Sequence, residues 1–342
     1  MNESRLEIKL SFITGLREVV LGEISKYQDI HIIREDVNSL YLDFIQDFTL
    51  IRHMGSVARA YVVIQDSKYN PLYISNHKSI LSNPIEIVLN GNEGRFKSFK
   101  ITCAGSDSFE VRSIAKYIQE TYELTEKEEA DMKIHIIKLD EIWEMGIQIT
   151  PRPLSVRDYK VRNMSGAMDP TIAYAVNSFC ELKKAKSYLN IFSGSATLLI
   201  EAAQSYPNIE HLIGFDNDKK HLSLAVQNIK KAGLIKKIQL KEENIFDKPN
   251  LGTFDAITSD LPFGMSVSKG EDLKRLYKCF IEYCENVLNE EGRLVVYTSE
   301  YEILEEIISK SRFDILKTLE LKLMTSVNAY LRPKIFVCKL KR

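Results

Sequence analysis

The feature that most constrains this chain is a regular alternation of strand-like and helix-like segments from about residue 182 onward. The strand-like segments are KSYLNIF, HLIGFDND, IQLKEENIF, FDAITSD and RLVVYTS. Amphipathic stretches of helical length lie between them, and two are predicted to end at Gly233 and Gly292, the position after a helix that glycine favours. Such alternation is typical of a parallel sheet with helices on its faces. It predicts an α/β, Rossmann-like sheet, closed by DILKTLELKLM and KIFVCKLKR as an antiparallel pair at its edge.

The first half of the chain predicts smaller α+β units. RLEIKLSF alternates like a strand, and GLREVVLGEISKY keeps an apolar stripe at helical spacing. Two short strands, a helix over residues 48–59 and the strand RAYVVIQD then complete a βαββαβ order. A second unit has the strand FKSFKITCAGS, a helix over residues 109–124 and two further strands, and it ends before two prolines at 151 and 153.

The composition narrows the class of protein. The 342 residues include 46 basic and 47 acidic side chains, so net charge alone does not indicate a nucleic-acid partner. No run of about 18 apolar residues occurs, and the opening MNESRLEIKLSFITG lacks the apolar core of a secretory signal. The five cysteines are scattered without metal-ligand spacing. We therefore expect a cytoplasmic monomer with reduced thiols, no membrane segment and no metal.

A first candidate site lies at the turn between KSYLNIF and the helix LLIEAAQSY. Gly194 is flanked there by small residues, which would let a ligand approach the backbone. The next predicted strand ends at Asp216, and a carboxylate in that place can bind both hydroxyls of a ribose. The separation from Gly194 is close to the roughly 20 residues expected for this pairing. The glycines and the Lys-Ser/Thr pair of a triphosphate-binding loop are missing, which disfavours such a ligand. A plain tight turn stays an alternative for the loop alone.

A second candidate site is SDLPFG, after the fourth predicted strand of this half. An exocyclic amino group on a base is a poor nucleophile, and hydrogen-bond acceptors for both N–H groups would aim its lone pair at a methyl donor. The Asp260 side chain and the Leu261 carbonyl could be those acceptors, with Pro262 stiffening the turn. Phe263 offers a flat face for a flipped base. Alone, SDLPFG would equally suit a surface turn with a buried phenylalanine; its place in the sheet favours catalysis.

Together these residues resemble the class I methyltransferases that modify amino groups. Those enzymes usually carry Asp-x-Phe-x-Gly-x-Gly in the loop and Asn/Asp-Pro-Pro-Phe/Tyr at the catalytic turn. This chain departs from the pattern at Asn190, Ala196 and Leu261, and it has Asn244 where an Asp often faces the adenine. The resemblance implies S-adenosylmethionine as cofactor, bound by Asn190, Phe192, Ser193, Gly194, Ser195, Ala196, Thr197, Asp216, Asn217, Asn244 and Ile245. Because no cysteine lies near Asp260, methylation of a nitrogen is favoured over pyrimidine C5.

The first half of the chain adds a second resemblance. The segment from FKSFKITC to IWEMGIQIT resembles a THUMP domain, an RNA-binding module of tRNA- and rRNA-modifying enzymes. SFITGLREVVLGEI resembles the ferredoxin-like unit that precedes it there, and PRPLSVRDYKVRNMSGAMDPTIAYAV resembles the linker that follows it. The implied domains are an N-terminal ferredoxin-like unit (1–66), a THUMP RNA-binding domain (67–150), a linker and helix (151–180) and a Rossmann-like methyltransferase domain (181–342).

The branch that the chain resembles is the tRNA guanine-N2 methyltransferases acting on the acceptor stem, whose Asp-x-Pro-Phe-Gly form matches Asp260, Pro262, Phe263 and Gly264. The resemblance implies RNA contacts from Arg157, Lys160, Arg162, Arg332 and Lys334, and from Lys133 or Arg112 in the THUMP region. Three alternatives remain open. They are a ribosomal RNA guanine-N2 methyltransferase, a DNA adenine or glutamine amino methyltransferase sharing the catalytic loop, and an RNA-binding protein whose methyltransferase half no longer turns over.

Overall fold

The protein is described here from a computed structural model, which covers residues 6–27, 30–66, 70, 77–92, 94–103, 107–139, 142–164, 166–263, 271–326 and 329–341. Gly264 of the predicted catalytic turn lies outside these residues. The chain divides into two compact units, Met1–Phe12 with Val20–Ser155, and Ile13–Val19 with Val156–Arg342. Residues 156–180, expected to be a linker and helix, are therefore part of the second unit, while the finer limits inside the first half stay a prediction.

The first unit contains an eight-stranded sheet with the order β2-β3-β1-β4-β8-β7-β5-β6. Its strands are β1 (Leu6–Ser11), β2 (Ile32–Asp36), β3 (Ser39–Asp43), β4 (Arg59–Asp66), β5 (Ser98–Cys103), β6 (Thr125–Glu126), β7 (Met132–Leu139) and β8 (Ile142–Gln148). Its helices are α1 (Arg17–Ile24), α2 (Thr49–Arg52), α3 (His77–Asn90) and α4 (Phe109–Tyr122). The predicted βαββαβ order is confirmed for β1 to β4, although α2 is shorter than the predicted helix.

Local sequence explains these elements. In β1, Ile8 and Leu10 are fully buried while the residues between them are partly exposed, as period-2 alternation requires. In α4, the side chain of Ser108 accepts the backbone N–H of Val111 and so caps the helix. The antiparallel pairing of β4 with β8 joins the two predicted α+β segments into one sheet.

The second unit contains a seven-stranded sheet with the order β11-β10-β9-β12-β13-β17-β14. Its strands are β9 (Ser187–Ile191), β10 (His211–Asp216), β11 (Ile238–Glu242), β12 (Phe254–Asp260), β13 (Leu288–Thr298), β14 (Phe313–Glu320) and β17 (Lys334–Leu340). Its helices are α5 (Pro170–Ser178), α6 (Thr197–Ser205), α7 (Lys219–Lys231), α8 (Glu271–Val287) and α9 (Tyr301–Ser309). The strands from β9 to β13 are parallel, and β17 is antiparallel to both β13 and β14. The predicted α/β sheet with an antiparallel pair at its edge is confirmed.

Two features of this sheet differ from the prediction. The helix expected to end at Gly292 ends at Val287, and β13 already begins at Leu288. A Cβ added at Gly292 would lie 2.9 Å from the carbonyl oxygen of Asp255, so this glycine permits a close approach to β12 where the register shifts. In addition, the connection from β14 to β17 carries a small hairpin, β15 (Leu323–Ser326) paired with β16 (Ala329–Leu331).

The strand order places the candidate site. β9 lies between β10 and β12, so the connections leaving β9 and β12 diverge to opposite sides at this point of the sheet. Ligands of open α/β sheets bind at such a switch point, outside the carboxyl ends of the strands. The loop after β9, the end of β10 and the end of β12 therefore meet at one edge. In the part of the chain that the structure describes, no helix is long and apolar enough to span a membrane.

Candidate active site

A cavity of about 990 Å³ opens at the carboxyl ends of β9, β10 and β12. Its lining includes every residue predicted for the cofactor and for catalysis except one. Those lining residues are Asn190, Phe192, Ser193, Gly194, Ser195, Thr197, Asp216, Asn217, Asn244, Ile245, Asp260, Leu261, Pro262 and Phe263. The exception, Ala196, is fully buried beneath the loop. Within the described ranges, no group of three His, Cys, Asp or Glu side chains could hold a metal ion.

The loop after β9 has an unusual backbone. Phe192, Gly194 and Ala196 have φ angles of 58°, 48° and 66°, all in the left-handed region. That conformation costs a residue with a side chain about 1–2 kcal/mol, and such residues concentrate at functional sites. The backbone N–H of Ser193 donates to the carbonyl of Phe215 at 3.0 Å, and that of Ala196 donates to Ser193 at 2.7 Å. The loop is thus folded tightly against the end of β10.

Asp216, at the end of β10, fixes this loop from the other side. Its Oδ2 accepts the backbone N–H of Gly194 at 2.9 Å, and its Oδ1 accepts that of Asp218 at 2.9 Å. The Nδ1 atom of His221 lies 3.5 Å from the same Oδ1. Each carboxylate oxygen has more than one acceptor position, so Asp216 can hold the loop and still bind hydroxyl groups of a ligand in the cavity.

Unpartnered polar atoms concentrate in this cavity. Among the described residues, four buried side-chain atoms lack a hydrogen-bond partner, and three of them belong to residues that line it. These three are acceptors, or hydroxyls able to accept: Asn190 Oδ1, Ser193 Oγ and Asp260 Oδ1. Leaving a buried polar group unpaired costs about 1–3 kcal/mol. The cavity therefore suits a ligand that brings hydrogen-bond donors, as the ammonium, ribose and adenine groups of S-adenosylmethionine would.

Asp260, at the end of β12, has an altered acidity. Burial raises the pKa of its carboxyl to about 7, and the positive charge of Lys160 partly opposes this rise. A carboxyl group that titrates near neutral pH can accept a proton during a reaction at that pH. This is the acidity expected of a base in the catalytic turn rather than of a surface carboxylate.

The turn after Asp260 is braced by a residue that sequence analysis missed. The hydroxyl of Tyr277, on α8, donates to the carbonyl of Pro262 at 2.9 Å and lies 2.8 Å from the Thr298 hydroxyl. The backbone N–H of Leu261 donates to the carbonyl of Tyr297 at 3.0 Å. These contacts hold the turn in place between α8 and β13. Only the three-dimensional contact identifies Tyr277, because its sequence surroundings are those of an ordinary amphipathic helix.

A third part of the cavity lining comes from the residues after β11. The side chain of Asn244 accepts the backbone N–H of Phe246 at 3.1 Å and so caps the short 3-10 helix Ile245–Asp247. Phe246 lines the cavity with 43% of its surface exposed, and the guanidinium of Arg275 lies 5.1 Å from its ring centre. Asn244 and Ile245 were predicted from the sequence to bind the cofactor here. Phe246 was not predicted, although an aromatic residue beside an expected adenine site is a usable signal.

The segment expected to be a linker also lines the cavity. Met164 and Met168 are among its wall residues, and the Lys160 ammonium donates to the carbonyl of Met168 at 2.7 Å. Asn228 of α7 exchanges two hydrogen bonds with the backbone of Arg162, at 2.9 and 3.0 Å, and donates to the carbonyl of Ser195 at 3.2 Å. Asn228 thus ties this segment to the loop after β9.

Arg157 and Lys160 both have partners inside the second unit, and their contact with RNA stays a prediction. Arg157 Nε pairs with Glu201 Oε1 at 3.0 Å, with side chains only 16% and 5% exposed, and the Tyr159 hydroxyl donates to the same oxygen at 2.7 Å. The guanidinium is therefore neutralised inside the unit. Lys160 is partly buried, its ammonium is bonded to the protein backbone, and burial lowers its pKa. Both residues organise the segment beside the cavity.

The other predicted RNA contacts also stay predictions. Arg162 is exposed, and its Nε donates to the neutral side chain of Gln227 at 2.7 Å. Arg332 pairs with Glu320 at 2.6 Å, and such an exposed pair contributes at most about 1 kcal/mol and can exchange partners. Lys334 is only 19% exposed and pairs with Glu305 at 3.1 Å.

Comparison with known proteins agrees with this geometry. Residues 157–327, half of the chain, match the UPF0020 family, described as an RMKL-like methyltransferase domain. The chain is 32% identical over 166 residues to the U6 snRNA (guanine-N(2))-methyltransferase THUMPD2 of Bos taurus, covering 48% of this chain and 32% of that protein. It is 23% identical over 198 residues to the tRNA (guanine(6)-N2)-methyltransferase of Archaeoglobus fulgidus, covering 51% and 50%. The chain thus spans half or less of the length of these relatives.

The fold is also that of a solved protein over nearly its full length. TrmN from Thermus thermophilus has a TM-score of 0.79 to this chain at 18% identity, covering 98% of this chain and 99% of TrmN. Both units therefore have counterparts in one known architecture. The ferredoxin-like and THUMP assignments within the first unit remain predictions.

Proposed function

This chain belongs to the UPF0020 family of RMKL-like methyltransferase domains, and from that premise we propose that it methylates the exocyclic N2 of a guanosine in tRNA. The observation that carries the proposal is the position of Asp260 beside the cofactor loop. Its carboxyl lines the same cavity as Asp216 and Gly194, its Oδ1 has no partner, and its pKa is raised to about 7. Both named relatives are guanine-N2 methyltransferases.

S-adenosylmethionine fits the donors and acceptors that line the cavity. Asp216 would accept the ribose hydroxyls, while Asn190 Oδ1 and Ser193 Oγ would accept from the ammonium group. Asn244 and Ile245, together with Phe246, would hold the adenine. When bound, this cofactor supplies an electrophilic methyl group on a positively charged sulfur.

The catalytic turn would prepare the guanine for methyl transfer. Asp260 and the Leu261 carbonyl would accept hydrogen bonds from the N2 amino group, which directs its lone pair toward the methyl carbon. As the N2 nitrogen gains the methyl group in place of a proton, the Asp260 carboxylate would take that proton. Phe263 would stack on the flipped base, a contact worth about 1–3 kcal/mol in other complexes. Tyr277 keeps the turn rigid by donating to the carbonyl of Pro262.

For the substrate we favour the acceptor stem of tRNA, because the relative from Archaeoglobus fulgidus, half of whose length this chain covers, is a tRNA methyltransferase and the first half resembles an RNA-binding module of tRNA-modifying enzymes. A tRNA substrate would place the protein in the cytoplasm. The second candidate is U6 snRNA, favoured by the 32% identity to THUMPD2.

The test is transfer of labelled methyl from S-adenosylmethionine to total tRNA, U6 snRNA and ribosomal RNA, with wild type and Asp260→Ala compared. Digestion and mass analysis identify the product. Label in N2-methylguanosine of tRNA, lost with Asp260→Ala, is the expected result. The same product in U6 snRNA or ribosomal RNA would support N2 methylation of guanosine but overturn tRNA as the substrate. No label in any RNA, with intact RNA binding, would overturn the enzyme and leave an RNA-binding protein.

A further inference from the structure

The hairpin between β14 and β17 adds nothing to the main sheet but contributes to the cavity. β15 and β16 form a separate two-stranded sheet, and Thr325 and Leu331 are cavity-lining residues. The stem is fixed at its base, because the backbone N–H of Lys322 donates to the carbonyl of Thr14 at 3.0 Å and that of Leu321 donates to Pro333 at 2.9 Å. The hairpin is therefore a supported projection at the edge of the site.

The opposite face of this hairpin carries two large exposed side chains. Met324 and Tyr330 are paired directly across the two strands and are 74% and 49% exposed. Directly paired residues share one face of an antiparallel sheet. Because successive side chains alternate between faces, Leu331 points to the opposite face from Tyr330, while Thr325 lies where the register between the two strands shifts. The Lys322 ammonium lies 4.1 Å from the centre of the Tyr330 ring.

We propose that this face, Met324 with Tyr330 and Lys322, binds the nucleotide adjacent to the methylated guanosine. The hairpin would then separate the two bases, with the target on its cavity face and the neighbour stacked on Tyr330. The proposal rests on the proposed function and deepens it by assigning a surface for the flanking RNA. The Lys322 ammonium lies over the Tyr330 ring in this structure, so it would move off the ring as the base stacks and would then meet the adjacent phosphate.

An RNA partner fits this face better than a protein partner does. The face is small, with one aromatic ring, one flexible thioether and one cation, and a base with its phosphate needs those three contacts. Stable protein interfaces are much larger, at roughly 800 Å² on each partner. The same hairpin also contributes Thr325 and Leu331 to the wall of the cavity that a base must enter, so a base on the Tyr330 face would lie one hairpin away from that cavity.

Binding of a fluorescein-labelled, unmodified tRNA transcript tests the proposal, with fluorescence anisotropy measured at one fixed salt concentration. Tyr330→Ala is expected to weaken binding on the order of tenfold, since a base–aromatic stack is worth about 1–3 kcal/mol. Tyr330→Phe keeps the ring and should stay within about twofold of wild type. Ile235→Ala removes another apolar side chain of the same unit, 53% exposed, and should leave binding unchanged. S-adenosylmethionine affinity should be equal in all four proteins.

A second readout separates this proposal from the proposed function. In methyl transfer, Tyr330→Ala should raise the KM for tRNA while kcat at saturating tRNA stays near the wild-type value. Equal tRNA affinity in wild type and Tyr330→Ala would overturn the assignment of this face even if tRNA is methylated. If tRNA binding depended on Tyr330 but no methyl transfer occurred, the RNA-binding face would be supported and the proposed methyltransferase function would be overturned. An equal loss in Tyr330→Phe would also count against stacking.

Discussion

Two carboxylates, at the ends of the strands on either side of β9, differ in how their hydrogen-bonding capacity is satisfied. Asp216, after β10, accepts backbone N–H groups on both oxygens. Asp260, after β12, has an oxygen without a partner, and burial raises its pKa to about 7. We refer to the loop 192–196 with Asp216 as the cofactor edge, and to residues 260–263 as the substrate edge. The same residue type therefore occupies two different environments, at the ends of two strands that have only β9 between them.

This difference indicates that the two edges have different roles. At the cofactor edge the carboxylate is already bonded, so its first role is to keep the loop in shape before any ligand arrives. At the substrate edge Oδ1 of the carboxylate has no hydrogen-bond partner, and burial destabilises the charged form more than the charge of Lys160 stabilises it. A buried carboxyl with a strongly shifted pKa is a common property of catalytic acids and bases. Removing the negative charge of Asp260 should therefore affect methyl transfer, whereas removing that of Asp216 should affect cofactor binding.

The largest effect is expected at the substrate edge. Asp260→Asn keeps the shape of the side chain but removes the negative charge and the proton acceptor. We expect kcat for methyl transfer to fall by roughly 10²–10³, the range seen when one preorganised electrostatic group of an active site is removed. The Kd of S-adenosylmethionine should stay within a few-fold of wild type. Steady-state rates at saturating RNA, with calorimetry for the cofactor, measure both.

Glu300→Gln is the matched control, because Glu300 lines the same cavity and has no role in this mechanism. It should change kcat by no more than a few-fold. If Asp260→Asn kept a wild-type kcat and instead lost cofactor affinity, the distinction between the two edges would be wrong.

The next effect is expected at the cofactor edge. Asp216→Asn presents the cavity with an amide and weakens the contact to the Gly194 N–H. Charge-assisted hydrogen bonds contribute about 1.5–3 kcal/mol, so the Kd of S-adenosylmethionine should rise roughly 10–100-fold. Once the cofactor is saturating, kcat should approach wild type. Asp218→Asn, two residues along, changes a helix cap outside the cavity and should leave cofactor affinity nearly unchanged.

The acidity of Asp260 gives a smaller, pH-dependent effect. Its pKa in the folded protein, about 7, lies above the ordinary 3.8. The active form is the carboxylate, so kcat/KM should rise about tenfold per pH unit below 7 and level off above it. The sign for stability is opposite: the stabilisation from the protonated carboxyl is fully present below about pH 4 and is lost as pH rises through about 7. Asp260→Asn should remove both dependences. A flat wild-type rate profile between pH 6 and 8 would contradict the assignment.

An element of this fold could be predicted from the sequence where its pattern of apolar and polar residues is contained within one segment. The strands β9 to β13 and their helices are each apolar or amphipathic over a single segment, so the α/β sheet could be predicted. Gly292 was misleading, because a glycine at a helix end and a glycine where two strands approach closely look the same in sequence. The hairpin β15–β16 was missed because it is only a few residues long and leaves no periodic pattern.

The same limit applies to the site. Loop 192–196, Asp216 and Asp260 follow directly from strand ends, and the structure brings them to one cavity. Arg157 was predicted as an RNA contact from the resemblance of its segment, and its internal partner Glu201, 44 residues away in an apolar helix, could not be read from the sequence. Tyr277 likewise acquires its position only through contacts between distant segments. A basic residue can be assigned to RNA only after its possible internal partners are known.

The smallest effect is expected from substitution of Asn190, which lies in β9 beside the cofactor edge. Like Asp260 at the substrate edge, it has a side-chain oxygen without a partner. Its Nδ2 donates to the carbonyls of Thr258 at 3.2 Å and Ile191 at 3.4 Å, while Oδ1 has no partner. Asn190→Asp restores the residue usual in similar methyltransferases but turns an acceptor toward those carbonyls. We expect the ligand-free protein to lose about 1–3 kcal/mol, or roughly 2–4 °C in Tm per kcal/mol.

Added S-adenosylmethionine should recover part of that loss, because a carboxylate beside the cofactor ammonium gains a charge-assisted hydrogen bond. Thermal unfolding with and without saturating cofactor measures the difference. The increase in Tm on binding should be larger for Asn190→Asp than for wild type, whereas Asn190→Ala, which has neither donor nor acceptor, should show a smaller increase. If Asn190→Asp were as stable as wild type without ligand and bound the cofactor no better, the open oxygen of Asn190 would not face the ammonium. The cofactor edge would then depend on Asp216 and the backbone of the loop alone.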